Sequence, residues 1–290
     1  MMMTLEHLRT YVELTKPRIV ALVLVTAFAG IWLGTQGDPS LGLACCTLVG
    51  VALAAASSSV LNNFIDRNAD RLMERTQKRA LPSGRIKPSH ALAFGLALGV
   101  LSFCILSVWV NLVTAYIALG TICFYVLVYT RWLKPTTPHC TVLGGIAGAL
   151  PPVMGLAAVG EFGWTALVLF SVIFLWQPPH FWALALVRCE EYRKAGFLIL
   201  PVTNGVRATK IQMLLYTLAL IPVSLLPYWL EITGQFYLVT AAIIGIGYLG
   251  WTLDFVLREF SKKRARRLFF LSIFYLTVLF AMFFVDYVKR

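Results

Sequence analysis

A stretch such as LFFLSIFYLTVLFAMFFV, residues 268–285, leaves little choice of solvent. Eighteen residues without a charge suffice to cross much of a hydrocarbon core about 30 Å thick, and comparable runs recur along the whole chain. In lipid every backbone N–H and C=O must be paired within the protein, so spanning segments are helices or closed barrels. The period-two alternation of a membrane barrel is absent from this sequence. The predicted fold class is therefore all-α, a polytopic integral membrane protein. Nine transmembrane helices are expected, at about 18–35, 41–65, 89–109, 111–130, 140–160, 163–187, 209–230, 235–256 and 268–287. Composition agrees, since 13% of residues are charged where a soluble domain carries about 25%.

With nine spans, every one of the 25 Lys and Arg residues except Lys289 and Arg290 falls on one side. The positive-inside rule then predicts a cytoplasmic N-terminus and an external C-terminus. The first apolar segment is too long for a cleavable signal and lacks a small-residue cleavage site. A bacterial cytoplasmic (inner) membrane is the expected location. The net charge of +12 follows from this bias and from attraction to anionic lipid, so no nucleic-acid partner is expected. The six cysteines form no Cys-x-x-Cys pair and read as small apolar fillers.

Residues 1–290 read as one transmembrane domain, with chemistry expected in the loops at about 62–88 and 188–208. The first of these opens NNFIDRNADRLMERTQKRALPSGRI. Asn62, Asp66 and Asp70 are spaced i, i+4, i+8 and so lie within a helical stripe of about 80°. Like charges at this spacing repel. Mg²⁺ would offset that, since it takes oxygen ligands, commonly one or two carboxylates plus substrate phosphates. Arg71, Arg75, Lys78 and Arg79 could then hold the remaining phosphate oxygens. The plainer alternative is a solvated helix end whose acids pair with neighbouring arginines. The asparagines at membrane depth favour the metal–phosphate reading, because intramembrane polar groups are costly. An isoprenoid diphosphate suits such a site, with a polar head for the charges and an apolar tail for the helices. Phe64, Phe124, Tyr125, Tyr129, Trp132 and Trp176 are candidate walls for an allylic cation.

NNFIDRNAD resembles the N-D-x-x-D-x-x-x-D signature of the UbiA-type intramembrane prenyltransferases, with Asn63 at the first Asp position. LTKPRI (14–19), DRLMERTQKRALPSGRI (70–86), YTRWLKPTTP (129–138), GGIAGALPPVMGLAAV (144–159), WQPPHFWALAL (176–186) and EEYRKAGFLILPV (190–202) resemble the protoheme IX farnesyltransferases (heme O synthases) in order along nearly the whole chain. The resemblance implies a nine-span helical bundle that transfers farnesyl from farnesyl diphosphate to a vinyl group of protoheme IX, with Mg²⁺ as cofactor. It implies that Asn62, Asp66 and Asp70 bind the magnesium diphosphate, with Asp66 and Asp70 catalytic. Lys134 and Arg75 or Arg79 become phosphate contacts, and Lys16 and Arg18 sit at the same rim. His180 becomes a catalytic, heme-facing residue, as an axial ligand or as a base near the reacting vinyl. Trp176, Glu191 and Tyr192 join it as acceptor-binding residues. Heme A synthase or terminal-oxidase assembly factors are the implied protein partners.

Three departures stand out. Ala80 and Leu198 occupy positions where the family tends to have Pro, and Glu190–Glu191 replaces a second aspartate-rich motif. Adjacent residues diverge by about 100° on a helix, so Glu191 is as well suited to orienting Tyr192 or a basic residue as to binding metal. Two other functions set the comparison: a prenyltransferase of a quinone precursor such as 4-hydroxybenzoate, and an ion-coupled transporter, whose carboxylates belong near midmembrane on broken helices. Reporter fusions after residue 75 are expected to read as cytoplasmic and fusions at residue 290 as external. The reverse pattern would overturn the orientation.

Overall fold

The computed structural model describes residues 5–289, so Arg290 lies outside the described residues. In chain order the elements are α1 (Leu5–Thr15), α2 (Pro17–Gly34), α3 (Leu41–Asp70), α4 (Pro88–Trp109) and α5 (Leu112–Cys123). A π-helix (Phe124–Leu133) and the single turn α6 (Lys134–Thr136) continue α5. Then come α7 (Cys140–Ala149), α8 (Pro151–Ala158), α9 (Trp164–Val187), α10 (Cys189–Lys194) and α11 (Leu200–Thr203). The chain ends with α12 (Gly205–Trp229), α13 (Gln235–Leu257) and α14 (Lys262–Val285). Among the described residues, nine helical segments are long and apolar enough to cross a membrane. Large side chains such as Leu22, Val108, Ile246 and Leu257 are exposed on their outer surfaces, as lipid-facing positions require.

Three spans differ from expectation by five residues or more at one end. The second stays helical to Asp70, which carries the acidic stripe on one continuous helix. The fourth runs to Thr136 by way of the π segment. The ninth begins at Lys262, so KKRARR is the start of α14 and not a loop. Long basic side chains can leave a helix end for the headgroup region, and the Arg267 guanidinium carbon sits over the Trp251 ring, 3.7 Å from its centroid.

Small residues set the packing. Ser57 Oγ donates to Gly95 O, and Ser102 Oγ to Gly50 O, both at 2.7 Å across the α3–α4 interface. Between α2 and α8 the backbones touch: a Cβ on Gly30 would lie 2.1 Å from Pro152 O, and one on Gly155 2.0 Å from Ala27 O. Such close approach is how helices gain dispersion energy where lipid competes for apolar contact. The Pro151–Pro152 pair breaks the fifth span at Leu150, as a pair lacking two N–H donors should. By contrast, α9 remains helical through Pro178 and Pro179. At the end away from the basic loops, Tyr237 N–H donates to Asp286 Oδ2 at 2.6 Å, fastening the chain's last residues to α13.

Gly155→Val places a branched side chain against backbone. Overpacking typically costs about 1–3 kcal/mol, so a clearly lower thermal midpoint in detergent is expected. Gly120→Ala, which meets open space, should leave the midpoint unchanged or slightly raised.

Candidate active site

The end of α3 is buried. Asn62, Asn63, Asp66 and Asp70 are 5%, 4%, 7% and 2% exposed, which decides against a solvated helix end. Their charged partners are Lys134, Arg79 and Lys16 and not the adjacent Arg67 and Arg71. Asp66 Oδ2 accepts from Lys134 Nζ at 2.5 Å and from Asn62 Nδ2 at 2.9 Å. Asp70 Oδ2 accepts from Arg79 Nη1 at 2.8 Å. Asn62 Oδ1 accepts from Lys16 Nζ at 3.1 Å, and its Nδ2 also reaches Thr130 Oγ1 at 3.2 Å.

Each cation is delivered by a local irregularity. Lys16 adopts a left-handed backbone (φ 53°, ψ 62°) between α1 and α2. The following Pro17 disfavours the right-handed helical region at this position, so the chain turns and aims the ammonium at α3. Burial pushes Lys16 down to about 7, Arg79 and Lys134 add to that, and Asp66 and Asp70 oppose it. Arg79 lies in the loop after α3, which folds back on buried Met73, Thr76, Ala80 and Leu81. The Thr76 hydroxyl donates to Asp70 O at 2.8 Å, closing that turn. Ala80 is thus a core contact of the loop.

Lys134 owes its place to the π-helix. Tyr125 and Lys134 would fall on opposite sides of an α-helix turning about 100° per residue. Bonding one residue further along the chain under-rotates each step and brings them round to one side. Thr130 Oγ1 donates to Tyr125 O at 2.8 Å within this winding, and the Tyr125 and Tyr129 rings lie 5.2 Å apart. Gly144 makes room for Tyr129, whose ring would lie 2.3 Å from any Cβ there.

Other sequence candidates separate from this network. Arg71 Nε donates to Pro82 O at 3.2 Å and braces the loop. Arg18 and Arg75 are exposed, as is Trp132 at 62%, which takes Trp132 off any cavity wall. Glu191 Oε1 accepts from Arg188 at 2.6 Å, and Glu190 pairs with Arg193. Tyr192 packs edge-on against Phe197, centroids 6.1 Å apart. Lys134 Nζ sits 4.2 Å over that same Phe197 ring, so the second basic loop touches the carboxylate network through an aromatic contact. His139 occupies the N-cap position of α7 without a side-chain cap bond.

His180 and Trp176 form a second cluster, between α9 and α14. The imidazole stacks between Trp176 (4.3 Å, 20°) and Phe269 (4.5 Å, 24°). Its Nδ1 lies 2.7 Å from Ser272 Oγ, and Trp176 Nε1 donates to Ser272 O at 2.7 Å. Ser272 lies outside every motif, while Thr130 and Phe197 fall inside YTRWLKPTTP and EEYRKAGFLILPV without standing out as site residues. Only the odd spacing of Tyr125, Thr130 and Lys134 hints at a winding other than α.

The donor set fits a hard divalent ion. All candidate ligand atoms are oxygens, and the hydrogen bonds to both carboxylates fall on Oδ2. Among the described residues no three His, Cys, Asp or Glu side chains cluster in metal-binding geometry. Substrate oxygens would therefore complete the shell, the usual situation for Mg²⁺. Arg79 and Lys134 pair with the two carboxylates, and Lys16, held on Asn62, adds a further basic group that suits an anionic partner.

The chain is similar to several known proteins. The UbiA prenyltransferase family pattern matches residues 23–274. Protoheme IX farnesyltransferase of Symbiobacterium thermophilum is 47% identical over 284 residues, covering 97% of this chain and 95% of its own. Among solved structures, a digeranylgeranylglyceryl phosphate synthase superposes with a TM-score of 0.82 at 22% identity, covering 97% of this chain and 98% of that one. A UbiA homolog from Archaeoglobus fulgidus bound to DMAPP and Mg²⁺ gives 0.65 at 18% identity, covering 94% and 99%.

Asn63, at the position of the signature's first Asp, acts as a donor: its Nδ2 meets Leu14 O at 3.1 Å. Leu14 is in the last turn of α1, where carbonyls lack intrahelical partners. An ionised Asp cannot donate. Asn63→Asp is expected to lose about 1–3 kcal/mol of stability, read as a lower unfolding midpoint; a wild-type midpoint would remove this role.

Proposed function

We infer the reaction from one premise: this chain belongs to the UbiA prenyltransferase family and, within it, to the protoheme IX farnesyltransferases. It transfers the farnesyl group of farnesyl diphosphate to a vinyl group of protoheme IX, giving heme O and diphosphate. The observation that carries this at the site is the pair of buried carboxylates, one helical turn apart, faced by three cations at one end of an apolar bundle.

Asp66 and Asp70 would hold Mg²⁺ together with substrate oxygens, and the bound ion would stabilise charge building on the leaving group. Lys16, Lys134 and Arg79 take the remaining phosphate oxygens, exchanging part of their contact with Asn62, Asp66 and Asp70. These charges are held in place beforehand, so little reorganisation accompanies C1–O cleavage. Asn62 positions Lys16 and Asp66 through its two amide ends. Tyr125, Tyr129 and Phe197 offer ring faces to the allylic carbon as positive charge grows there. The vinyl π electrons form the new C–C bond to C1 of the farnesyl group as the C1–O electrons leave with diphosphate. Water adds to the resulting carbocation next to the porphyrin and loses a proton, giving the hydroxyethylfarnesyl substituent. His180 faces the porphyrin, with Trp176 stacked beside it. Arg18 and Arg75, exposed at the same end, serve the approach of the anion.

The basic end lies in the cytoplasm of a bacterial inner membrane, where both diphosphate and heme are available. Heme A synthase or an oxidase assembly factor is the natural recipient of the product. Purified protein given Mg²⁺, farnesyl diphosphate and protoheme should yield heme O. Prenylation of 4-hydroxybenzoate in its place would overturn the acceptor assignment. Chelation of divalent metal should abolish turnover. Asp70→Asn should lower kcat by about 10²-fold or more, the scale for losing one stabiliser of developing charge.

A further inference from the structure

The polar contacts of Ser272 determine which nitrogen of His180 is available for chemistry. A serine hydroxyl has one proton to donate and lone pairs to accept. Ser272 Oγ donates to Phe269 O at 2.6 Å, one turn back along α14. That bond uses the proton, so the 2.7 Å contact with His180 Nδ1 is an Nδ1–H donating to Ser272 Oγ. In a neutral imidazole with Nδ1 protonated, Nε2 carries the lone pair.

The same residue also fixes the ring's plane. Ser272 O accepts from Trp176 Nε1 at 2.7 Å, which anchors the indole stacked on one imidazole face. Phe269, whose carbonyl takes the serine proton, covers the other face. Ser272 itself is fully buried, so no water competes at its hydroxyl. Side chain and backbone of one residue thus set the tautomer and brace the stack. Two successive prolines, Pro178 and Pro179, precede the histidine on α9. Neither supplies an N–H, which leaves the carbonyls one turn before them without intrahelical donors.

We propose that Ser272 is a positioning residue for the acceptor. It holds His180 as the Nδ1–H tautomer, so that Nε2 is presented to the iron of the porphyrin substrate as an axial ligand. This rests on the reading that His180 faces the porphyrin, and it names Nε2 as the nitrogen that does so. Outer-sphere partners of metal-bound histidines commonly work in this way, fixing tautomer and orientation.

Two measurements separate the proposal from the reading beneath it. In full-length protein carrying ¹⁵N-histidine, without heme, the His180 resonances are assigned by their loss in His180→Ala. They should show Nδ1 protonated and Nε2 bare. Ser272→Ala should remove that bias, and Ser272→Thr, which restores the hydroxyl, should recover it. An Nε2-protonated ring in the unmodified protein would sink the proposal whatever heme does. Titration with ferric protoheme forms the second arm. The unmodified protein should show the absorption spectrum of histidine-ligated iron. Ser272→Ala should weaken binding by about ten-fold, with farnesyl diphosphate binding unchanged as proof of folding. Unaltered affinity and spectrum in Ser272→Ala would refute the positioning role. Unaltered affinity and spectrum in His180→Ala would instead refute the heme-facing role of His180, while the tautomer result would still stand.

Discussion

Two carboxylates held out of water at the end of one helix govern the basic end of this protein. An unpaired buried charge costs several kcal/mol, and breaking a buried pair by removing one partner costs about 3–5 kcal/mol. The chain meets that demand with cations from three separate places: the corner between α1 and α2, the loop after α3, and the end of the π-helix. Each arrival fixes a piece of backbone that would otherwise be an ordinary connection. The buried charges and the tertiary structure at this end are therefore the same set of contacts.

The spans were legible because lipid imposes a simple rule on length and polarity. The stripe Asn62–Asp66–Asp70 was legible because it lies on one helix and obeys its period. What the stripe pairs with was not. Lys134 is 68 residues from Asp66, and its alignment depends on a winding that helix propensity does not reveal. Charge runs misled in a related way. KKRARR reads as a loop when hydropathy sets the boundary, yet its backbone is already helical. Arg18 and Arg75 share their neighbours' composition but not their burial. His180 was conspicuous as a histidine within a span, whereas Ser272, 92 residues away, looked like any small residue in a membrane helix.

The two clusters divide the labour between different helices. The carboxylate network is built on α3, the π segment and the first loop, whereas the histidine stack belongs to α9 and α14. Phe197, beneath Lys134 and beside Tyr192, joins the second basic loop to the first cluster. Substitutions at Phe197 are thus placed to affect the carboxylate network through Lys134 without altering a charge.

The π segment also bears on how sequences in this family should be aligned. A helix wound with one extra residue per hydrogen-bonded ring has an alternative, shorter form that is equally well bonded. Loss of a single residue between Phe124 and Leu133 could be absorbed by reverting to α geometry, with the span intact and still apolar. The casualty would be angular: Lys134 would swing away from Asp66, and a protein that inserts and folds would arrive without its cation. Within these ten positions, a one-residue gap therefore carries more functional information than most substitutions.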